Sequence, residues 1–473
     1  MKKLFLYIII IAAAALSGCQ KKSVDLVQGQ TVDDRLSAAL TQYRNILTKA
    51  PYGWKLVETS GVAYNNGAYD SAKAIFVYYM QFNDSNTVTQ YGSFDTVQAK
   101  VPKRSGYRIS SLQRPTLIFD TYGYIHVPCD PDPSVSKSPL DPGMGWGTDY
   151  EFMFVDNMLP DQLGDTIHLT GLKNSATAYL VKATKDEKTI MESGQYASNI
   201  NLTALKAKLL TYWQRFTIGA TLYELPAIDF FNKALAFNWL DGSGNQQTFR
   251  TTFWIDFNGN IVFVTPFVSG NVTVTGITPN AGLIGVNVPT ITLTPSIVPL
   301  KLDVSAAQNW YNQMSLNFNG CWVTDKAFHL NGVDDYCQFG NVTSAGATAV
   351  TKGAAQLWYG GAGVFGAANP YDGFITFINS ASLSSAAYFV NDRPLVINGG
   401  IATFAYYGAA GTFTGAAGTL SYSMNLARSI VFYAVSGTRS VGNWYLIPTS
   451  SSGKNYDMVR VSDALAWISW RPR

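Results

Sequence analysis

Asp149 and Glu151 stand two residues apart in a stretch, Tyr150-Glu151-Phe152-Met153-Phe154-Val155, that reads as a β-strand. Alternate strand residues face one side, so both carboxyls are expected on a common face. Such a pair can do acid/base work on a glycosidic bond at suitable separation. Asp120, Asp130, Asp132 and Asp141 crowd the same region. The competing reading is a solvated strand face beside a turn-rich loop. Carboxylates are also the hard ligands calcium takes, yet Asp130-Pro131-Asp132-Pro133 lacks the EF-hand loop pattern. His126 and Cys129 suggest a Cys/His nucleophile, but an offset of three puts them on opposite faces of a strand, and a structural thiol suits the neighbouring proline-rich loop. His126, His168 and His329 lie far apart, and neither HExxH nor CxxC occurs, so no metal site is expected. There is no GxSxG elbow and no glycine-rich phosphate loop opening a helix. No cofactor is expected.

Aromatic residues offer a different chemistry. An exposed ring presents an apolar face that can stack on a sugar or a peptide side chain, and it orders few torsions in doing so. Trp146, in Gly145-Trp146-Gly147 within a polar loop, is the first candidate for a displayed ring. Trp358-Tyr359, before Gly360-Gly361, is the second. Against this stands the ordinary fate of strand aromatics, which is to fill a core; Trp310, Trp322, Trp444, Trp467 and Trp470 are open to it.

The N-terminus gives an address. Met1-Lys2-Lys3 is basic, Leu4 to Leu16 is an apolar run, and Ser17-Gly18-Cys19 follows. That is the layout of a secretory signal, too short to span a bilayer. Leu16-Ser17-Gly18-Cys19 resembles a bacterial lipobox, which implies cleavage before Cys19 and acylation of its sulfur. Residues 1–18 are then the signal and 19–30 a polar tether. Removing the signal takes Lys2 and Lys3 and no acid, so the net charge falls from +3 to +1. Such a balance offers no patch for nucleic acid. Cys321 and Cys337 are close enough to form a local disulfide in an exported chain, which leaves Cys129 as an odd, buried thiol.

The elements that must position these residues follow from periodicity. A helix capped by Thr31 or Asp33 carries Leu36, Leu40, Tyr43 and Leu47 at helical spacing and stops at Pro51. Period-two runs predict strands at 54–57, 74–80, 87–89, 117–120, 124–127, 150–155, 166–169 and 178–181, with a turn at Asn83–Asn86 and a long loop from Pro128 to Gly147. A second helix is predicted over Asn201–Phe216, from Leu202, Leu205, Leu209, Trp213 and Phe216. Phe249 to Phe257 alternates strictly, and Asn258-Gly259 predicts a two-residue hairpin turn before Ile261–Val264. The expected fold is an α+β N-terminal domain over 31–305, an antiparallel sheet with two helices, followed by an all-β, sandwich-like domain over 306–473.

Several motifs together resemble a known family. They are the lipobox, the capped helix, Pro51-Tyr52-Gly53-Trp54, Leu117 to Tyr122, His126, Asp130 to Pro133, Gly145 to Phe152 and Ile167 to Lys173. Across roughly residues 31–300 they resemble the lipoproteins of domain of unknown function 4302, found in Bacteroidetes-type bacteria. The resemblance implies an outer-membrane lipoprotein, from loci that often encode a TonB-dependent transporter and its nutrient-binding lipoprotein. It supplies no catalytic residues. Surface-exported members tend to carry acids just after the cysteine; Gln20-Lys21-Lys22 stands here instead, leaving a periplasmic or a cell-surface face open. The expected function is non-catalytic binding of a glycan or peptide nutrient, with a glycan hydrolase or a structural, adhesive protein as alternatives.

Overall fold

The structure, a computed structural model, describes residues 31–64, 72–111, 114–155, 164–230, 232–316, 321–324, 328–330, 352–359, 371–379, 383–392, 394–405, 408–409, 441–449 and 453–472. Cys19, the tether to residue 30, Cys337 and the side chain of Trp358 lie outside the described part. The chain divides into two compact units, one carried by residues up to 62 with 74–94 and 101–189, the other by 63–73, 95–100 and 190 onward. Its described strands form three sheets, with antiparallel pairing.

The sheet of the first unit has nine strands: β1 (Trp54–Tyr64), β2 (Ala72–Phe82), β3 (Thr87–Gly92), β4 (Lys103–Gly106), β5 (Arg108–Ser111), β6 (Pro115–Ile118), β7 (Glu151–Phe154), β8 (Thr166–Gly171) and β9 (Thr177–Lys182). Their order is β4-β3-β2-β1-β9-β8-β7-β6-β5. β4 and β5 are halves of one run parted by Tyr107; the first half pairs with β3 and the second with β6. The two ends of the sheet therefore meet, and the strands trace a near-barrel, which leaves little open edge for stray pairing. Trp54, Leu56, Glu58 and Ser60 of β1 alternate onto one buried face, as the period of two requires.

Helix α1 (Val32–Thr48) starts at Thr31, whose hydroxyl accepts the Asp34 N–H while the Asp34 carboxylate accepts the Thr31 N–H. This reciprocal pair satisfies two otherwise orphaned donors. Tyr43 and Leu47 of the expected stripe are buried, but Leu36, two turns nearer the start, is 36 % exposed. Trp54 Nε1 donates to the Leu47 carbonyl at 2.9 Å and fixes the helix end to β1. A helix the periodicity missed, α2 (Lys185–Glu192), begins with the same device: Thr184 and Glu187 exchange two hydrogen bonds, and Glu187 also holds Lys55 at 2.6 Å.

The second unit carries β10 (Trp213–Ile218), β11 (Thr221–Leu225), β12 (Ala234–Leu240), β13 (Gln246–Ile255), β14 (Ile261–Ser269), β15 (Val272–Ile277), β16 (Leu283–Val286) and β17 (Thr294–Ser296), in the order β16-β15-β14-β13-β12-β11-β10-β17. Helix α3 (Ala306–Leu316) follows, then an eleven-stranded sheet between Cys321 and Pro472. Trp310 of α3 stacks on Trp322 at 5.8 Å, and both sit in a core with Trp444 and Trp470.

The described part is mostly β with few helices. The helix expected over Asn201–Phe216 is one single turn, Thr203–Lys206, preceded by another at Tyr196–Asn199 and followed by β10. Leu202 takes a left-handed conformation between the turns. Phe216 and Ile218 face one core and Trp213, an odd offset away, faces another, so a strand buried on both sides had mimicked a helical stripe. The strand expected at Tyr124–Val127 is a 3₁₀ turn, Tyr124–His126, because the Gln90 side chain rather than a neighbouring strand accepts the Ile125 N–H, at 3.2 Å. The hairpin at Asn258-Gly259 forms, but as a wider loop closed by the Asp256 N–H on the Asn260 carbonyl. Asp256 Oδ1 accepts the N–H groups of Asn258 and Asn260, which favours the longer loop, and Gly259 supplies φ +81°. The same brace recurs at Asp241, with Gly244 at φ +77°, and at Asn83, with Asn86 at φ +56°.

Candidate functional site

The segment between β6 and β7 carries the groups of interest. Phe119 is its hub. The Phe119 N–H donates to the Tyr150 carbonyl at 3.1 Å, and the Phe119 carbonyl lies 3.1 Å from His126 Nε2. The other imidazole nitrogen, Nδ1, accepts the Gly123 N–H at 3.0 Å, so Nε2 carries the hydrogen. Ile125, fully buried, plants the turn that bears His126. The result is a stack of three rings. Tyr122 lies 5.4 Å from His126 at 23°, and Tyr150 lies 4.6 Å from it at 29°. The outer rings are open to solvent, Tyr122 48 % and Tyr150 38 %.

Burial, joined by the nearby Lys103 charge, lowers the pKa of His126 below the usual range for histidine. Protonation would also cost the bond from Gly123. The central ring therefore stays neutral, and the stack is an apolar platform. Its rim is charged: Lys103 Nζ sits 4.8 Å from the Tyr122 ring and 5.8 Å from Tyr124, Tyr122 donates to Asp130 at 2.5 Å, and Arg108 pairs with Asp120 at 3.7 Å.

Beneath the platform lies a buried polar cluster. Asp149 Oδ1 accepts the N–H groups of Lys173 and Asn174, both at 3.0 Å, and Oδ2 accepts that of Ala176, also at 3.0 Å. Gly171 is required here, since a Cβ would run into the Asp149 carboxylate. The Asp149 N–H donates to Glu58 Oε1 at 2.7 Å. Glu58 is fully buried, its Oε2 has no hydrogen-bond partner, and neither does the buried Tyr78 hydroxyl. Cys129 Sγ lies 3.2 Å from Thr148 Oγ1, and burial raises its thiol pKa well above the ordinary value.

The residues singled out in the sequence are dispersed among these roles. Asp149 precedes β7, so strand alternation does not apply to it, and its carboxylate is committed to backbone donors; Glu151 opens β7 half-buried. The two do not form a facing pair poised over a cleft. His126 spends both nitrogens on backbone, so it cannot serve Cys129 as a base. Trp146 is half-buried rather than displayed: its indole N–H donates to the Ser136 carbonyl at 2.7 Å and its ring meets Phe76 edge-on at 5.9 Å. Tyr359 packs half-buried on the core beside Tyr311, and Trp358 pairs through its backbone with Cys321 and Gly373. Cys321 is buried, its Sγ 3.4 Å from the Trp322 carbonyl oxygen. Tyr122, Tyr150, Lys103 and Glu58 were not picked as site residues; Tyr122 and Tyr150 stood in the quoted motifs, but their approach to His126 depends on the long-range bond between Phe119 and Tyr150.

Among the described residues no group of His, Cys, Asp and Glu could hold a metal ion, and no helix is long and apolar enough to cross a membrane. In the second unit a cleft lined by Lys206, Tyr212, Gln214, Leu225, Phe230 and Trp467 has about 20 Å³ of room. A water needs roughly 10–15 Å³, so this room is about that of one water molecule.

A model of the family described as Domain of unknown function (DUF4302) matches residues 27–281. No curated protein matches the chain. Two solved structures similar to it are the isotype 1 transferrin binding protein B from serogroup B Neisseria meningitidis and the Trp-176-Ala mutant of transferrin binding protein B from Haemophilus parasuis Hp5. The first is 9 % identical, with 89 % of this chain and 74 % of that chain covered and a TM-score of 0.16. The second is 8 % identical, with 89 % and 76 % covered and a TM-score of 0.15. At such scores neither likeness bears on fold or function.

Proposed function

The chain belongs to the family described as Domain of unknown function (DUF4302), and from that premise we propose that it is an envelope-anchored lipoprotein that binds a nutrient, a glycan or a peptide, without catalysis. In this reading residues 1–18 are a signal, Cys19 carries the lipid at the outer membrane, 19–30 are a tether, 31–305 hold the binding body and 306–473 form a sandwich-like β domain. The uptake partner, a TonB-dependent transporter with its nutrient-binding lipoprotein, rests on the family resemblance.

One observation carries the binding claim. Tyr122, His126 and Tyr150 form a neutral, preassembled stack whose outer rings are open to solvent. A platform ordered before the ligand arrives spares the entropy of arranging it. Trp146 anchors its own loop at Ser136. Hydrolysis by Asp149 and Glu151 is the weaker reading, because Asp149 is occupied by three backbone donors.

Affinity electrophoresis through gels containing polysaccharide tests the proposal. The intact protein should be retarded by at least one polysaccharide or, failing glycans, should bind an immobilised peptide pool. Tyr122→Ala with Tyr150→Ala should abolish either effect. New reducing ends lost on Glu151→Gln would instead favour the hydrolase, and neither binding nor cleavage would favour an adhesive role.

A further inference from the structure

The polar cluster under the platform has no part in ring stacking, yet it touches the platform's backbone. Glu58 Oε1 accepts the N–H of Asp149, the residue before Tyr150. We propose that Glu58 is the positioning residue of this site: its carboxyl holds the Asp149–Tyr150 segment in place, and alkaline conditions release that latch and loosen Tyr150 from His126. The inference builds on the platform as the binding surface, but its first readout needs no ligand.

The groups facing Glu58 decide the direction. Asp149, Tyr78 of β2 and Cys129 of the loop surround it, and Lys173, which donates its backbone N–H to Asp149, is exposed to water. No cation is among the groups acting on Glu58. Three backbone N–H groups serve the Asp149 carboxylate, whereas Glu58 has one. A like charge nearby disfavours ionisation of a buried carboxyl that few donors serve. Burial raises the Glu58 pKa well above the ordinary carboxylate value; the hydrogen bond from the Asp149 N–H opposes that rise and the Asp149 charge adds to it. The folded state thus binds a proton that the unfolded state has lost. Stability from this group is full below the unfolded pKa and falls as pH rises toward the folded one. Ionisation leaves two adjacent buried carboxylates, and opening the segment to water relieves that repulsion. The partnerless oxygens of Glu58 and Tyr78 mark where water would enter.

Hydrogen exchange of residues 145–155, corrected for the intrinsic pH dependence of exchange, tests this on the full chain. Protection in the wild type should fall about tenfold or more between pH 6 and pH 9, an expected size corresponding to about 1.4 kcal/mol. Glu58→Gln keeps an acceptor for the Asp149 N–H and cannot ionise, so its protection should stay flat across that range. Glu58→Ala, which loses the acceptor, should exchange fast at every pH; if it does not fold, Glu58→Gln alone decides. Equal pH dependence in wild type and Glu58→Gln overturns the proposal. If the latch behaves as described while no glycan or peptide binds, the binding assignment falls and the positioning role stands.

Discussion

Asp149→Ala should lower the melting temperature of the first unit by roughly 10 °C. The substitution leaves three backbone donors, on Lys173, Asn174 and Ala176, facing an empty space. An orphaned buried donor costs about 1–3 kcal/mol, so the total loss is on the order of 3–5 kcal/mol once partial hydration is allowed for. A kilocalorie displaces melting by roughly 2–4 °C in a unit of about 150 residues. Asp149→Asn keeps one acceptor oxygen and should lose about half as much. Calorimetry reads both. A shift below about 2 °C for Asp149→Ala would show that this carboxylate does not hold the turn after β8, and would reopen its use as an acid or base.

Cys19→Ala should move the protein almost wholly from the membrane fraction to the soluble one. Each buried acyl methylene contributes about 0.8 kcal/mol, and stable anchoring takes two hydrophobic signals. An acylated cysteine carrying both an S-linked lipid and an N-acyl chain supplies them, and losing Cys19 removes both. The rest of the chain offers no substitute helix among its described residues. Fractionation of cells expressing each form, with metabolic labelling by a fatty acid, checks the outcome. Unchanged partitioning with no label on Cys19 would end the lipoprotein reading.

Local features were legible wherever one residue type settles the backbone. Thr31, one of the two caps expected, starts the helix, and Asp34 three residues on completes an exchange not expected from the sequence. Asn83–Asn86 and Asn258-Gly259 read as turns, and there Asn83 and Asp256 each brace two N–H groups within four residues; the same brace at Asp241 was not expected. The runs at the start of β1 and along β13 alternate, whereas β2 is an unbroken apolar run, Ala74–Met80, buried throughout and bounded by turn residues. Residues 201–216 misled because Leu202, Leu205, Leu209, Trp213 and Phe216 satisfy a helical stripe while Trp213, Phe216 and Ile218 also fit a strand; only pairing with β11 and β17 decides. Near-closure at β4 and β5 was invisible, since nothing local in Lys103–Ser111 shows that its halves take different neighbours.

The site was legible in place and not in parts. The region 120–151 stood out for its carboxylates and for Trp146, and the platform lies there. Exposure was misjudged for Trp146, whose glycine neighbours suggested display; the backbone carbonyl of Ser136 gives its N–H a partner, and Phe76 gives its ring one. Glu58 gave no signal, because a single acid in an apolar strand acquires meaning only from Asp149, 91 residues away.

The central claim is that ligand rests on the Tyr122–His126–Tyr150 stack. Calorimetric titration of the wild type and of Tyr150→Ala, with whichever glycan or peptide the gels and peptide pool identify, tests it most directly. The account predicts at least about tenfold weaker binding for Tyr150→Ala, about 1.4 kcal/mol, at an unchanged melting temperature. Equal affinity in the two proteins would contradict it.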